Sequence, residues 1–234
     1  MVTPIHVRQI SSTLCGLAFA VGAQAQLAAN VSLASENNFR GNSLSDNNPV
    51  AAFSLNADSD SGWFAGAVAT WARFDRYRYA RSSPQWLADV GYARDTGLGW
   101  SWEVGATGSW FTNTSSYNYH EAFAGITVNR WNVRFFYSPA YYGQRFKSVY
   151  GELNYARPLT DNLHLLAHLG WQRANLDGAD ASTSTLDTRL GLGIQVGRVG
   201  IQASWVATNR ESYLYPVDSG SYHNRFVLRL DYAL

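Results

Sequence analysis

Phe226-Val227-Leu228-Arg229-Leu230-Asp231-Tyr232-Ala233-Leu234 alternates without a break to the last residue of the sequence. Phe226, Leu228, Leu230, Tyr232 and Leu234 fall on one face, and Val227, Arg229, Asp231 and Ala233 on the other. Successive side chains of a strand point to opposite sides, so this period of two describes a strand with one apolar face and one mostly polar face. Aromatic rings bracket the apolar face, as they do where side chains meet a lipid–water boundary.

The same pattern runs back along the chain. Leu163, Leu165, Ala167, Leu169 and Trp171 oppose His164, Leu166, His168, Gly170 and Gln172. Trp86, Ala88, Val90 and Tyr92 oppose Leu87, Asp89, Gly91 and Ala93, and Trp100, Trp102, Val104, Ala106 and Trp110 oppose Ser101, Glu103, Gly105 and Thr107. Thr188, Leu190, Leu192, Ile194 and Val196 oppose Arg189, Gly191, Gly193 and Gln195. Segments of this kind are centred near residues 30, 54, 67, 89, 104, 124, 134, 152, 167, 191, 203 and 229. Short connections rich in turn-forming residues lie at 59–62, 95–99, 129–132, 157–162 and 197–200. Long ones lie at 35–49, 74–84, 112–119, 138–147, 173–184 and 208–224.

An all-β, antiparallel up-and-down meander of about 12 strands, with short turns at one rim and long loops at the other, is the pattern of a transmembrane β-barrel of the bacterial outer membrane. The short turns would be periplasmic and the long loops extracellular, with both termini at the short-turn rim because the strand count is even. A soluble sandwich or lipocalin-like barrel shares the alternation but turns its apolar face inward and its charges to water. Here the polar face is rich in glycine as well as charge, which suits a lumen better than a solvated surface.

Composition agrees. Of the 234 residues only 15% are charged, well below the roughly 25% of soluble domains, while 46% are hydrophobic and 15% aromatic. The net charge of +1 provides no field that would gather nucleic acid. No apolar run approaches the ~18 residues of a spanning helix. Residues 1–25 have the form of a secretory signal peptide, with His6 and Arg8, an apolar stretch from Ile10 to Gly22, and the small-residue site Ala23-Gln24-Ala25. Cleavage before Gln26 would remove Cys15, the one cysteine, and leave residues 26–234 as a single barrel.

Ser35-Glu36-Asn37-Asn38-Phe39-Arg40-Gly41-Asn42-Ser43, followed by Pro49 and by Gly62-Trp63-Phe64-Ala65-Gly66, resembles the opening motif of the TorF family of outer-membrane porins, a Gcw_chp-like β-barrel. The matching stretch covers about the first third of the mature chain, and Asn38 and Leu44 depart from the motif. The resemblance implies an outer-membrane location and a porin-like barrel. On the residues themselves, Gly41 permits a positive φ at the rim, and Arg40 could fold into the mouth to pair with a lumen carboxylate. Whether Arg40 would then touch solute or only pin the loop is open at this stage.

The face assignment puts Asp58, Asp89, Glu103, Glu121, Glu152, Asp187 and Asp231 on the lumen wall with Arg134, Arg189, Arg225, Arg229, His164 and His168. That set describes a water-filled path with a weak preference for cations, or a lumen knitted shut by ion pairs. Arg76, Arg78 and Arg81, interleaved with Tyr77 and Tyr79, mark the second long loop as a surface for lipopolysaccharide phosphates or anionic solutes at the mouth. His164 and His168 lie about 13 Å apart along a strand at ~3.3 Å per residue, so they cannot share a metal. Gly191-Leu192-Gly193 belongs to a strand pattern and opens no dinucleotide-binding helix.

The expected function is a cofactor-free porin-like channel for passive diffusion of small hydrophilic solutes or ions, in contact with outer-membrane lipid. Two alternatives stand beside it. One is a phospholipase- or deacylase-type barrel enzyme built on His120 with Ser115 or Ser116, and the other a non-conducting structural or adhesin barrel.

Overall fold

The computed structural model describes residues 26–72, 83–112, 115–143, 146–175, 182–210 and 224–234. The segment expected to be a signal peptide lies outside these residues, as do Arg76, Arg78 and Arg81. In chain order the strands are β1 (Gln26–Ala34), β2 (Asn38–Phe39), β3 (Asn42–Ser43), β4 (Val50–Asp58), β5 (Trp63–Ala72), β6 (Ser83–Asp95) and β7 (Trp100–Phe111). They continue as β8 (Tyr119–Val128), β9 (Trp131–Ser138), β10 (Lys147–Pro158), β11 (Leu163–Asn175), β12 (Ser182–Val196), β13 (Val199–Thr208) and β14 (Asn224–Ala233).

Among the described residues, β1 and β4 to β14 close one twelve-stranded antiparallel barrel. Each barrel strand pairs with its neighbours in sequence, and β1 meets β14 with Asn30 opposite Ala233 and Ala34 opposite Arg229. Closure pairs every edge, the condition for crossing lipid with strands. The strands run from 8 to 15 residues, against the roughly 9–11 needed for a tilted span.

Burial settles which face is inside. On β14, Phe226, Leu228, Leu230 and Tyr232 are 43 to 65% exposed, and Leu190, Leu192 and Ile194 on β12 behave alike. Trp63, Trp71, Trp86, Trp110, Trp131 and Trp205 are exposed on the same surface. The buried side chains include Asp89, Glu103, Glu121, Arg134, Glu152, Asp187, Gln85, Gln172 and Asn154. An outside of hydrocarbon and an inside of charge is the reverse of a soluble barrel and the arrangement that lipid requires.

Candidate functional site

The lumen is shaped by the segment that follows β1. Instead of leaving the rim, the chain turns inward at Glu36, and Glu36, Asn37, Asn38, Phe39, Arg40, Asn42, Ser43, Leu44 and Ser45 are each at most 5% exposed. Within it β2 and β3 form a hairpin, Asn38 opposite Ser43 and Phe39 opposite Asn42. The tip, Arg40 (φ 47°) and Gly41 (φ 75°), has positive φ at both central residues, the requirement of a tight primed turn. Gly41 is needed for a second reason, because a Cβ there would lie 2.6 Å from the Cβ of Asp187 on the opposing wall.

Arg40 holds the hairpin down. Its Nη1 and Nη2 donate to Glu121 Oε1 and Oε2 at 3.1 and 2.7 Å, a fork-to-fork pair, and Nη1 also donates to Tyr141 Oη at 2.9 Å. The guanidinium lies 4.0 Å from the ring centroid of Tyr150 and 4.8 Å from that of Phe39. A charge so thoroughly removed from water is sustained only by such a set of partners. Around it, Arg225 donates to Glu36 Oε1 at 3.1 Å and to the Gly41 carbonyl at 2.6 Å. Asn37 donates to Gln85 at 3.2 Å, and Arg189 to Asn38 at 3.4 Å. Phe39 and Leu44 pack into one apolar cluster with Val50, Phe111, Tyr119, Tyr141, Tyr142 and Ala174, so aromatic rings from three connections fill the long-loop half of the barrel.

Toward the short-turn rim the wall carries further pairs. Arg134 on β9 reaches past β8 to Glu103 on β7, with Nε–Oε1 at 2.6 Å and Nη2–Oε2 at 2.8 Å. The intervening strand presents Gly125, where a Cβ would meet Arg134 Cγ and Glu103 Oε1 at 2.8 Å each, so this close approach needs glycine. His168 sits between Asp187 (Nε2–Oδ1, 2.9 Å) and Asn154 (Nδ1–Oδ1, 2.7 Å), and Arg229 forks onto Asp231. Ser54, Asn56, Asp58, Asn132, His164, Gln202, Arg229 and Asp231 are only half-buried. The interior is therefore packed beneath the long loops and accessible from the short-turn end.

The thirteen wall residues expected from sequence all lie on the inward face. Asp89, Glu103, Glu121, Arg134, Glu152 and Asp187 are buried, while Asp58, His164, His168, Arg189, Arg225, Arg229 and Asp231 are half-buried. Most of their charge is consumed in pairs, and the pairing of Arg40 with Glu121 draws a loop into the lumen. Glu36, Tyr141 and Tyr150 belong to the site but fell outside the sequence reading. The available signal was Phe39 and Leu44, two large apolar residues in what otherwise resembled a polar surface loop. Ser115, Ser116 and His120 are exposed, and among the described residues no side-chain hydrogen bond joins the histidine to either serine.

A family model described as a bacterial protein of unknown function, Gcw_chp, matches residues 20–230. No curated protein matches the chain. Among solved structures, a KdgM porin superposes with a TM-score of 0.55 at 9% identity, covering 88% of this chain and 99% of the porin. A KdgM porin in complex with disordered oligogalacturonate gives 0.54 at 9% identity, covering 89% and 99%. LpxR from Salmonella typhimurium gives 0.48 at 8% identity, covering 88% and 99%. At these identities the likeness is one of fold: the chain has the architecture of outer-membrane barrels.

Proposed function

The chain belongs to the Gcw_chp family of bacterial proteins of unknown function, and from the lumen it encloses we propose that it is an outer-membrane channel of the porin kind, passing small hydrophilic solutes or ions by passive diffusion. The observation that carries this reading is the wall below the hairpin, where Asn56, Asp58, Asn132, His164 and Gln202 are only half-buried and open toward the short-turn end, beneath the apolar cluster that packs the long-loop half. Twelve strands also enclose more room than the eight whose interior side chains fill, and less than the sixteen of wide porins. In this reading the hairpin of β2 and β3 is the constriction, and solutes pass where it meets the wall. The fold shared with the KdgM porins and the resemblance of residues 35–66 to TorF porins support the same assignment. So does the signal-peptide pattern at 1–25, which implies export, and the sequence run that carries Arg76, Arg78 and Arg81 has the charge to meet lipopolysaccharide phosphates.

Net charge in the lumen favours cations. Glu121, Glu103, Glu36 and Asp231 are matched by arginines, whereas Asp89 and Glu152 have no basic partner among the described residues. The test is swelling of liposomes loaded with the refolded barrel in isotonic solutions of neutral sugars and amino-acid salts. Swelling that falls with solute size supports the channel, and folded barrel that leaves liposomes as tight as protein-free ones rejects it. The exposed, unconnected Ser115, Ser116 and His120 give the hydrolase alternative no support of its own.

A further inference from the structure

Asn56 on β4, Gly66 on β5, Asp89 on β6 and Thr107 on β7 lie opposite one another in a single row across the sheet. Asp89 and Thr107 are each 7% exposed. Asn56 Oδ1, Asp89 Oδ1 and Thr107 Oγ1 are buried with no hydrogen-bond partner from the protein. A buried carboxylate in this condition is costly, and such groups are almost always matched by a cation or a donor.

The geometry says what is matched. A Cβ on Gly66 would stand 2.6 Å from Asp89 Oδ1 and 3.2 Å from Asn56 Oδ1. Both oxygens therefore converge on the gap that the missing side chain leaves, and no more than about 6 Å separates them. They are gathered around one point, yet neither forms a hydrogen bond with the other or with Thr107. Both are acceptors and cannot bond one another, so what joins them across the gap must be positively charged or a donor, and metal–oxygen contacts of roughly 2.3–2.6 Å are of the gap's scale. The same construction over Gly125 is filled internally, where the oxygen of Glu103 meets the guanidinium of Arg134. Over Gly66 both sides present oxygen, and Arg134, the cation whose field reaches Asp89, is itself bonded to Glu103.

We propose that Asp89 and Asn56 form a subsite for a hard monovalent cation of the alkali-metal class, held in the gap over Gly66 on the lumen wall. Both donors are oxygens, which selects a hard ion, and a single carboxylate beside a neutral oxygen matches one positive charge. Among the described residues no group of three or more His, Cys, Asp or Glu side chains is placed to hold a metal ion. If the channel reading holds, the subsite is a step on the cation path; its existence does not depend on conduction.

The experiment is sodium-23 NMR line broadening by the refolded barrel in zwitterionic detergent micelles, with each variant's folding checked by the heat-dependent gel shift of closed barrels. Wild type should broaden the sodium line, and potassium should reverse the effect by competition. Asp89→Asn should abolish the broadening. Gly66→Ala, which leaves every charge in place but fills the gap, should cut it by at least half. Glu152→Gln removes a buried lumen carboxylate outside the subsite and should lower the broadening far less than Asp89→Asn does. Broadening that survives Gly66→Ala but falls equally with Asp89→Asn and Glu152→Gln would reveal a diffuse lumen charge and overturn the proposal. Calcium displacing sodium at far lower concentration than potassium does would overturn the monovalent assignment. Sodium binding by a barrel that conducts nothing would uphold the subsite while rejecting the channel.

Discussion

Removing Glu121 should release the hairpin that fills the lumen. The Arg40–Glu121 pair has two charge-assisted bonds at 2.7 and 3.1 Å and side chains at most 3% exposed. Breaking a buried pair from one side typically costs about 3–5 kcal/mol, because the remaining charge stays desolvated. Glu121→Gln retains the volume and one possible acceptor, which puts it near ~3 kcal/mol. With 1.4 kcal/mol per factor of ten, the ratio of docked to undocked hairpin should fall by about 100-fold. Leu44 reports that ratio, since it is wholly buried when the hairpin is docked. In a Leu44→Cys background with Cys15 removed, a bulky hydrophilic maleimide should label the folded barrel slowly. Adding Glu121→Gln should raise the labelling rate by about 100-fold when labelling follows the open population. Arg40→Met with Glu121→Leu, which removes both charges, should return labelling toward the slow rate. Equal labelling with and without Glu121→Gln would refute the claim that this pair holds the hairpin in place.

Two further outcomes follow from the wall and its exterior. Leu190→Arg, on the exposed face of β12, should lower barrel stability by about 2–4 kcal/mol in a urea titration in lipid, whereas Gln202→Arg on the half-buried inward face of β13 should cost much less; equal costs would mean the faces are exchanged. Glu152→Gln should reduce cation preference in a salt-gradient reversal-potential measurement, while Glu103→Gln should reduce it and also destabilise the barrel by about 3 kcal/mol, because it strands Arg134. If the two variants matched in stability, the Arg134–Glu103 pair would not be structural.

The twelve strands were legible because each repeats a local rule. Alternation fixes the strand, Gly and Asn mark the turns, and the rings at Trp86, Trp100, Trp110 and Tyr232 mark the lipid side. The segment expected near residue 67 forms β5, Trp63–Ala72. The same rule put the thirteen charged and histidine residues on one face, since that requires only parity. Their partners were not legible. Arg134 meets Glu103 across an intervening strand, which depends on register and on the absence of a side chain at Gly125. That Arg40 could fold inward onto a lumen carboxylate was legible, but not that the carboxylate is Glu121, 81 residues on, nor that the loop's inward path depends on Phe39 and Leu44 finding Tyr119, Tyr141 and Tyr142 from two other connections. Loop direction is a non-local property, so a polar stretch between two strands carries little trace of it.

The most direct measurement is single-channel conductance in a planar bilayer, comparing the wild-type barrel with one in which residues 36–48 are replaced by a short glycine-serine linker. Wild type should show small, steady, cation-preferring steps, and removal of the hairpin should enlarge them several-fold, toward the bore of an unobstructed twelve-stranded barrel. Bilayers that stay silent for both proteins, with insertion and folding demonstrated, would contradict a diffusion channel, and steps of equal size in both would contradict the hairpin as its constriction.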